Sequence, residues 1–497
     1  MNKKNIGRII GIGFVAVVTF ILASIATYRI GFPLDDAWIH QTYARNLAQH
    51  GEFAFLPGVP SAGSTSPLWT VLLVPGQWLG SAGIYLWAYF LGFVSLAILG
   101  IVGEKLFRSM VHPDKNAESL TMVGKLPLVG LLLVSEWHLV WAAASGMETV
   151  LYSMVILLVL FLAWQNRAPA FWLGMLIGVT IWIRPDGITL LGPVGMMLFF
   201  QFNSWTKRAK ALGLLVCGML IPLAGYLVFN YSLSGHFWPS TFYAKQAEYA
   251  ALWKTGFLSR FFQLASLPLV GVGVLLLPGF LYQFLNIVRQ RNWKLAAMML
   301  WWVGYTGIYA YRLPVSYQHG RYLIPAMPVF FLLGLSGTIA FFEALRLKGR
   351  WKRRVEFGAK AVAILVTLAF LVSGARAYAT DVAIIESEMV NTARWLHENT
   401  AEEDLLAVHD IGAIGYFSQR TIIDLAGLAS PEVIPFIRDE VELATYMDSR
   451  GVAYLVTFPD WYHDLPQGKC IVYETDGVFS LTAGGTSMTV YRWNDEK

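Results

Sequence analysis

The sequence predicts a polytopic α-helical membrane protein with about eleven spans, followed by a polar α/β domain. Three observations carry this. Of the 497 residues, 56% are hydrophobic, and the mean hydropathy is +0.52. Apolar runs of about twenty residues recur, each able to cross a hydrocarbon core of roughly 30 Å at about 1.5 Å per residue. After about residue 380 the pattern changes to short alternating segments separated by turn residues.

Taken in order, the runs lie near 9–30, 84–107, 126–144, 149–165, 170–183, 187–203, 211–229, 262–286, 295–311, 322–344 and 357–378. Helices are required because backbone exposed to lipid must satisfy its own hydrogen bonds. The first run is too long for a leader's apolar core and other spans follow, so it reads as an uncleaved helix. The short run 170–183 ends at "RPDG", which makes 170–203 a tight hairpin. Pro75 and Gly76 break the segment 66–80, which reads as an interfacial or re-entrant helix.

Basic residues fall in alternate connections. Lys3, Lys4 and Arg8 precede the first run. Lys105, Arg108, Lys115 and Lys125, then Arg167, then Lys207, Arg208 and Lys210 mark later ones. Arg289, Arg291 and Lys294 follow, and "RLKGRWKRR" (346–354) is the strongest cluster. The positive-inside rule then predicts a multi-pass protein of the cell (inner or plasma) membrane. Its N-terminus is cytoplasmic and its C-terminal domain extracytoplasmic. The division is 1–379, a transmembrane catalytic domain whose first outer loop is 31–66, and 380–497, the α/β domain. In that domain "ESEMVNTARWLHENT" reads as an amphipathic helix. "LLAVHD", "RTIIDLAG", "VAYLVTFP", "CIVYETDGVFSL" and "SMTVYRW" read as strands.

The net charge of +5 is a topology signal and does not point to nucleic acid. The 19 Trp and 22 Tyr suit interfacial belts or sugar-stacking surfaces. Two cysteines, Cys217 in an apolar run and Cys470 in the tail, are not expected to pair, and no metal-ligand spacing is present.

The parity that places the basic clusters inside places five polar loops outside: 31–66, "SGMET", "RPDG", "NYSLSGHFWPSTFYAK" and "RLPVSYQHGRY". The first holds Asp35 and Asp36, directly after a span. Read alone, either is an N-cap for a helix running to His50, with Gly51 just beyond its end. That helix, however, carries Asp36, Ile39, His40, Tyr43 and Leu47 on one stripe, and carboxylates at membrane depth point to function. A carboxylate at a partly dry interface has raised proton affinity and can act as general base toward a hydroxyl. Arg184, Lys245, Arg312, His319 and Arg321 are the cations available to face a departing phosphate. Singly, Arg321 reads better as a snorkelling residue and Lys245 as part of an interfacial helix; their shared side of the membrane is what favours the set. Glu148 sits three residues after Ser145, the spacing of a capping box; its functional reading is substrate binding, shared with His40, Tyr43 and Tyr243.

The motifs "PLDDAWIHQTYARNL", "GSTSPLWTVLL", "SGMETVLY", "WIRPDG", "HGRYLIP" and "HDIGAIGYFSQRTIIDLAGL", in this order over nearly the whole chain, resemble the GT-C class of integral membrane glycosyltransferases. The similarity is to bacterial arabinofuranosyl- and mannosyltransferase-like members. The resemblance implies a polyprenyl-phosphate sugar as donor and a glycan, lipid or protein acceptor. It also implies that one aspartate of the first outer loop is the base or positions the acceptor. Asp35 and Asp36 both match, and Asp36, nearer the helix groove, is favoured. A divalent metal belongs to some members, mainly those with pyrophosphate-linked donors. No metal is expected here, since no second acidic cluster is found on the outer loops and Asp186 reads as a turn residue. A phosphate leaving group needs no acid, so one base and a cationic clamp suffice for inverting transfer, unlike the two opposed carboxyl groups of a glycosidase.

In the C-terminal domain Gly412 and Gly415 read as close-packing glycines. His409, Asp410 and Asp424 read as turn and cap residues, or as contacts to an acceptor, and the aromatic loop 458–464 suits sugar rings or lipid headgroups. Two rival functions are a transporter or flippase of lipid-linked glycans and a non-catalytic envelope scaffold. The first would place polar groups near mid-membrane and broken helices in matching halves. The second would tolerate loss of both aspartates.

Overall fold

The computed structural model describes residues 1–111, 126–345 and 349–494. Lys115, Lys125 and residues 346–348 of the basic segment lie outside the described residues. Each apolar run is helical, but the number able to span is smaller than the number of runs. Among the described residues five helices are long and apolar enough: Lys3–Thr27, Ser81–Val111, Trp205–Ser234, Gln318–Ala344 and Arg353–Asn399. Phe257–Leu269 and Gly273–Gln290, bent by 118°, form a sixth if counted as one span. Thr149–Trp164 and Ala170–Ile183 are apolar but shorter.

The run 126–144 is divided into Leu128–Ser135 and Trp137–Ala143. The cause is Glu136, whose carboxylate accepts from the Leu139 amide at 3.1 Å and pairs with His138 at 2.8 Å, opening a new helix. The hairpin 170–203 is present, as Ala170–Ile183, the 3-10 turn Pro185–Leu190 and the helix Leu191–Gln201. Glycines set how closely the first of these approaches Trp205–Ser234. A Cβ on Gly174 would lie 2.0 Å from the Leu215 carbonyl oxygen, and one on Gly218 2.1 Å from that of Phe171.

The first loop forms a small hairpin, β1 (Ala54–Leu56) with β2 (Val59–Pro60). The C-terminal segment folds into a five-stranded mixed sheet built from β3 (Leu405–Val408), β4 (Thr421–Asp424), β5 (Tyr454–Thr457), β6 (Cys470–Glu474) and β7 (Thr489–Arg492). Their order is β4-β3-β5-β7-β6. β3 runs parallel to β4 and β5, while β7 is antiparallel to β5 and β6. All five expected strands form, each shorter than its segment. "CIVYETDGVFSL" stops at Glu474, because Gly477 adopts a left-handed φ of 64° and Val478–Thr482 becomes helical. Cys217 and Cys470 are free.

Helix is unbroken across residue 380. Gly349–Ile384 continues through a π-turn, Ile385–Val390, into Asn391–Asn399. The π-turn carries two buried acids. Glu386 pairs with Arg29 at 2.8 Å, and Glu388 accepts from the Ser480 hydroxyl and the Met488 amide, both at 3.0 Å. These bonds tie the sheet to the helical bundle. A second tie is the short helix Ile411–Phe417, packed on Asp36–His50.

Candidate active site

Asp36–His50 starts after Pro33 and ends at Gly51, whose φ of 71° supplies the left-handed stop. Asp35 occupies the N-cap position but does not cap its own helix. Its carboxylate instead accepts the backbone amides of Gly412 and Ala413, both at 2.7 Å. Gly412 is required by this contact, since a Cβ there would lie 2.1 Å from the Asp35 carbonyl oxygen. Gly415 is pressed on the Phe55 ring in the same way.

Asp36 faces the other direction. Its Oδ2 lies 2.5 Å from the Arg321 guanidinium and 3.3 Å from Lys245 Nζ. The Tyr322 hydroxyl accepts from both cations at 3.0 Å. Next to this group, Arg184 donates to Glu148 at 3.0 Å and to the Tyr309 hydroxyl at 2.9 Å, and lies 3.3 Å from Asp186. Asp186 also accepts from Tyr305 at 2.6 Å and from Tyr309 at 2.9 Å. It is therefore the anchor of a buried network, which corrects its reading as a plain turn residue. The capping box at Glu148 does not form. Its carboxylate turns to Arg184 and lies 3.6 Å from His40, while Ser145 bonds the Ala142 carbonyl. His40 shares its other ring nitrogen with Ser64 at 3.1 Å.

Two cavities meet at Asp36. The first, about 400 Å³, is lined by Glu148, Arg184, Trp238, Phe242 and Arg312, with largely apolar walls. The second, about 490 Å³, lies between the bundle and the C-terminal sheet. Its walls include Asp35, Glu248, His409, Asp410, Trp461 and Tyr462. Asp36, Ile39, Lys245, Arg321 and Leu428 border both and form the partition. The five polar loops singled out in the sequence thus converge on one place.

Other expected residues are placed elsewhere. Arg312 stacks over Phe242 and lines the first cavity. His319 borders neither cavity; it bonds Asp381 at 2.8 Å between the Trp137 and Trp141 rings. Tyr43 is wholly buried and braces the first loop through Ser61 at 2.7 Å and the Gly63 amide at 2.9 Å. Tyr243 borders neither cavity. Asp424 fixes its own turn by accepting from Ala426 at 2.8 Å and Ala429 at 2.6 Å.

A family model described as Domain of unknown function (DUF8728) matches residues 376–491. A terminal beta-(1->2)-arabinofuranosyltransferase of Mycobacterium tuberculosis (strain ATCC 25618 / H37Rv) is 26% identical over 352 residues, covering 64% of this chain and 54% of that protein. The chain thus spans about half the length of this curated relative. ArnT from Cupriavidus metallidurans bound to undecaprenyl phosphate superposes with a TM-score of 0.58 at 15% identity, over 99% of this chain and 98% of its own. Archaeal oligosaccharyltransferase AglB from Archaeoglobus fulgidus, in complex with an inhibitory peptide and a dolichol-phosphate, gives 0.52 at 11% identity, over 92% and 70%. The chain has the GT-C fold.

Within this GT-C fold the two adjacent acids are shifted in opposite directions. Burial raises the Asp35 carboxyl to about 7, against the two amide bonds, and neighbouring Asp36 adds to the rise. Burial also opposes ionisation of Asp36, but Arg321 and Lys245 outweigh it and hold the carboxyl well below the usual carboxylate range. This reverses the raised affinity expected of Asp36. Burial keeps His40 below its ordinary value despite Glu148 and Asp36. Sequence reasoning missed Tyr322, Tyr309 and Tyr305, which carry no charge pattern to betray them; their only signal was adjacency to Arg321 and Arg312 at the loop's ends.

Proposed function

We propose that this protein transfers a sugar from a polyprenyl-phosphate donor to a hydroxyl of a cell-envelope glycan, lipid or protein, with inversion. The observation that carries this is Asp36, held by Arg321 and Lys245 in the partition between two cavities. Support for the donor class comes from the solved neighbours, ArnT bound to undecaprenyl phosphate and AglB with a dolichol-phosphate. Support for sugar transfer comes from the arabinofuranosyltransferase relative.

The donor phosphate enters the first cavity, where Lys245, Arg321, Arg184 and Arg312 supply its positive wall, and the polyprenyl tail runs along the apolar side. Its oxygens compete with Asp36 for Arg321 and Lys245. As those cations turn to the phosphate, the Asp36 carboxylate loses the field that suppressed its basicity. An acceptor hydroxyl in the second cavity gives its proton to Asp36 and attacks the anomeric carbon. The bond from that carbon to the phosphate oxygen breaks, and polyprenyl phosphate leaves. Glu148 and His40 border the sugar. Asp35 acts from behind, by seating the C-terminal helix Ile411–Phe417 beside the partition.

No divalent metal is assigned. Of the acids around the two cavities, Asp36 faces Arg321 and Lys245, Glu148 and Asp186 face Arg184, and Asp35 faces two backbone amides, while Glu248 lies 3.6 Å from His409 and one Asp410 oxygen is buried without a hydrogen-bond partner. Residues 1–379 form the membrane-embedded catalytic part, and 380–497 an extracytoplasmic domain closing the second cavity. The N-terminus is cytoplasmic, and the long apolar helices cross the cell membrane.

The deciding experiment measures transfer in purified membranes with a panel of radiolabelled polyprenyl-phosphate sugars, comparing wild type with Asp36→Asn, with and without chelator. Loss of transfer in the variant and indifference to chelator are expected. Full activity of Asp36→Asn would remove the base, and abolition by chelator would overturn the metal-free assignment.

A further inference from the structure

A third cavity, about 480 Å³, lies at the end of Ala170–Ile183 opposite the proposed catalytic cavities. Ala170 and Leu173 border it, whereas Arg184, just past the other end of the same helix, borders the first cavity. The separation along this 14-residue helix is about 20 Å. The cavity holds Arg167, Lys207 and Lys210, with Asn166 and Gln201 beside them and a floor that includes Leu198 and Leu214. No carboxylate lines it, and none of the three cations is in an ion pair among the described residues.

All three cations are exposed and face no carboxylate among the described residues. Lys207 is in the first turn of Trp205–Ser234, and Arg167 sits just before Ala170–Ile183. Neither helix has an acid in its first turn. Helix N-termini carry partial positive charge and favour anions. Arg208 donates to the Phe202 carbonyl at 2.7 Å and lies over the Phe199 ring, and Arg167 lies over the Phe161 ring at 5.6 Å. Lys207 and Lys210, three residues apart, share the face that Arg208 leaves. Trp205 and Trp293, 70% and 45% exposed, stand at the same end, where Trp293 stacks on Phe200 at 4.3 Å. Exposed tryptophans of this kind mark headgroup depth.

We propose that this cavity binds the phosphate headgroup of an anionic phospholipid of the surrounding leaflet. The phosphate would be held between Arg167, Lys207 and Lys210, and an acyl chain would lie on the leucine floor. The site is independent of sugar transfer, and its test reads lipid binding alone.

Full-length protein in neutral detergent is titrated with phosphatidylglycerol, phosphatidylcholine or undecaprenyl phosphate, following bound lipid by native mass spectrometry and the thermal midpoint. One variant combines Arg167→Gln, Lys207→Gln and Lys210→Gln. A control removes three cations outside the cavity, Lys4→Gln, Arg289→Gln and Arg291→Gln. Wild type and control are expected to retain phosphatidylglycerol over phosphatidylcholine and to gain midpoint with it. The cavity variant, folded by its unchanged midpoint without lipid, is expected to bind phosphatidylglycerol about two orders of magnitude more weakly. Equal retention of the two phospholipids by wild type would overturn the proposal. So would equal loss in variant and control, or cavity-dependent binding of undecaprenyl phosphate alone. If the cavity variant fails to fold, Lys210→Gln alone is compared with Arg291→Gln, and an undiminished phosphatidylglycerol preference in Lys210→Gln overturns it.

Discussion

The Asp35 carboxylate and the Gly412 amide, 377 residues apart in the chain, meet at 2.7 Å and join the first loop to the C-terminal sheet. No side chain larger than hydrogen fits at this point, because the nearest atom to an added Cβ is a backbone oxygen that cannot move aside. Gly412→Ala is expected to lower stability by about 1–3 kcal/mol, read as a drop in the thermal midpoint of the detergent-solubilised protein. An unchanged midpoint would show that the two parts do not hold each other here.

Asp35 and Asp36 are expected to separate in kinetics. Asp36→Asn removes the proposed base and should reduce kcat by about 10²–10⁴-fold. Asp35→Asn keeps one acceptor for the Gly412 and Ala413 amides. It should act mainly on stability, by about 1–2 kcal/mol, with a smaller loss of turnover. The opposite ranking in a transfer assay would assign the base to Asp35.

The pH dependence follows from the cations around Asp36. Its folded carboxyl is held below its unfolded value, which is near 3.9. The stability it contributes is therefore present above about pH 4 and is lost as the pH falls through the folded value. Thermal midpoints of wild type and Asp36→Asn should converge on acidification below pH 4. In turnover, donor phosphate draws the cations away. The acid limb of kcat should then lie at higher pH than that of kcat/KM, and coincident limbs would count against the competition between phosphate and Asp36.

Arg321 follows three consecutive left-handed residues, Gln318, His319 and Gly320, with φ of 53°, 57° and 67°. His319 is pinned by Asp381 at 2.8 Å. In the proposed transfer it would act as a positioning residue for the Arg321–Tyr322 pair. His319→Val, β-branched and ill suited to this backbone, should cost about 1–3 kcal/mol and raise the donor KM about tenfold while changing kcat less. His319→Asn, which tolerates the left-handed region, should restore most of the affinity. Equal defects in both variants would show the backbone conformation to be irrelevant.

The legible parts of this molecule were those encoded by period or by charge. Alternation marked all five C-terminal strands, and loop charges picked out Asp36, Lys245, Arg184 and Arg321, which line one cavity. Where the reading departed, a single residue had redirected the chain. Glu136 split an apolar run, Gly477 ended a strand, and Glu148 left its capping role for Arg184. Asp186 was missed because an acid beside Pro185 and Gly187 looks like a turn, and its tyrosine partners lie more than a hundred residues away. Tyr43 shared the helical stripe of Asp36, yet its hydroxyl turned to Ser61. Helical period assigns a face without saying how deeply it is sunk.

The uninterrupted helix from Arg353 to Asn399 leaves no slack joint between the bundle and the sheet. Such a strut sets the height of the sheet over the helical bundle, as a post fixes the height of a shelf. In the proposed transfer, an acceptor would have to present its hydroxyl at that one level. Inserting two residues into that strut would raise and rotate the shelf together, and in the proposed transfer would change which acceptors fit before changing turnover.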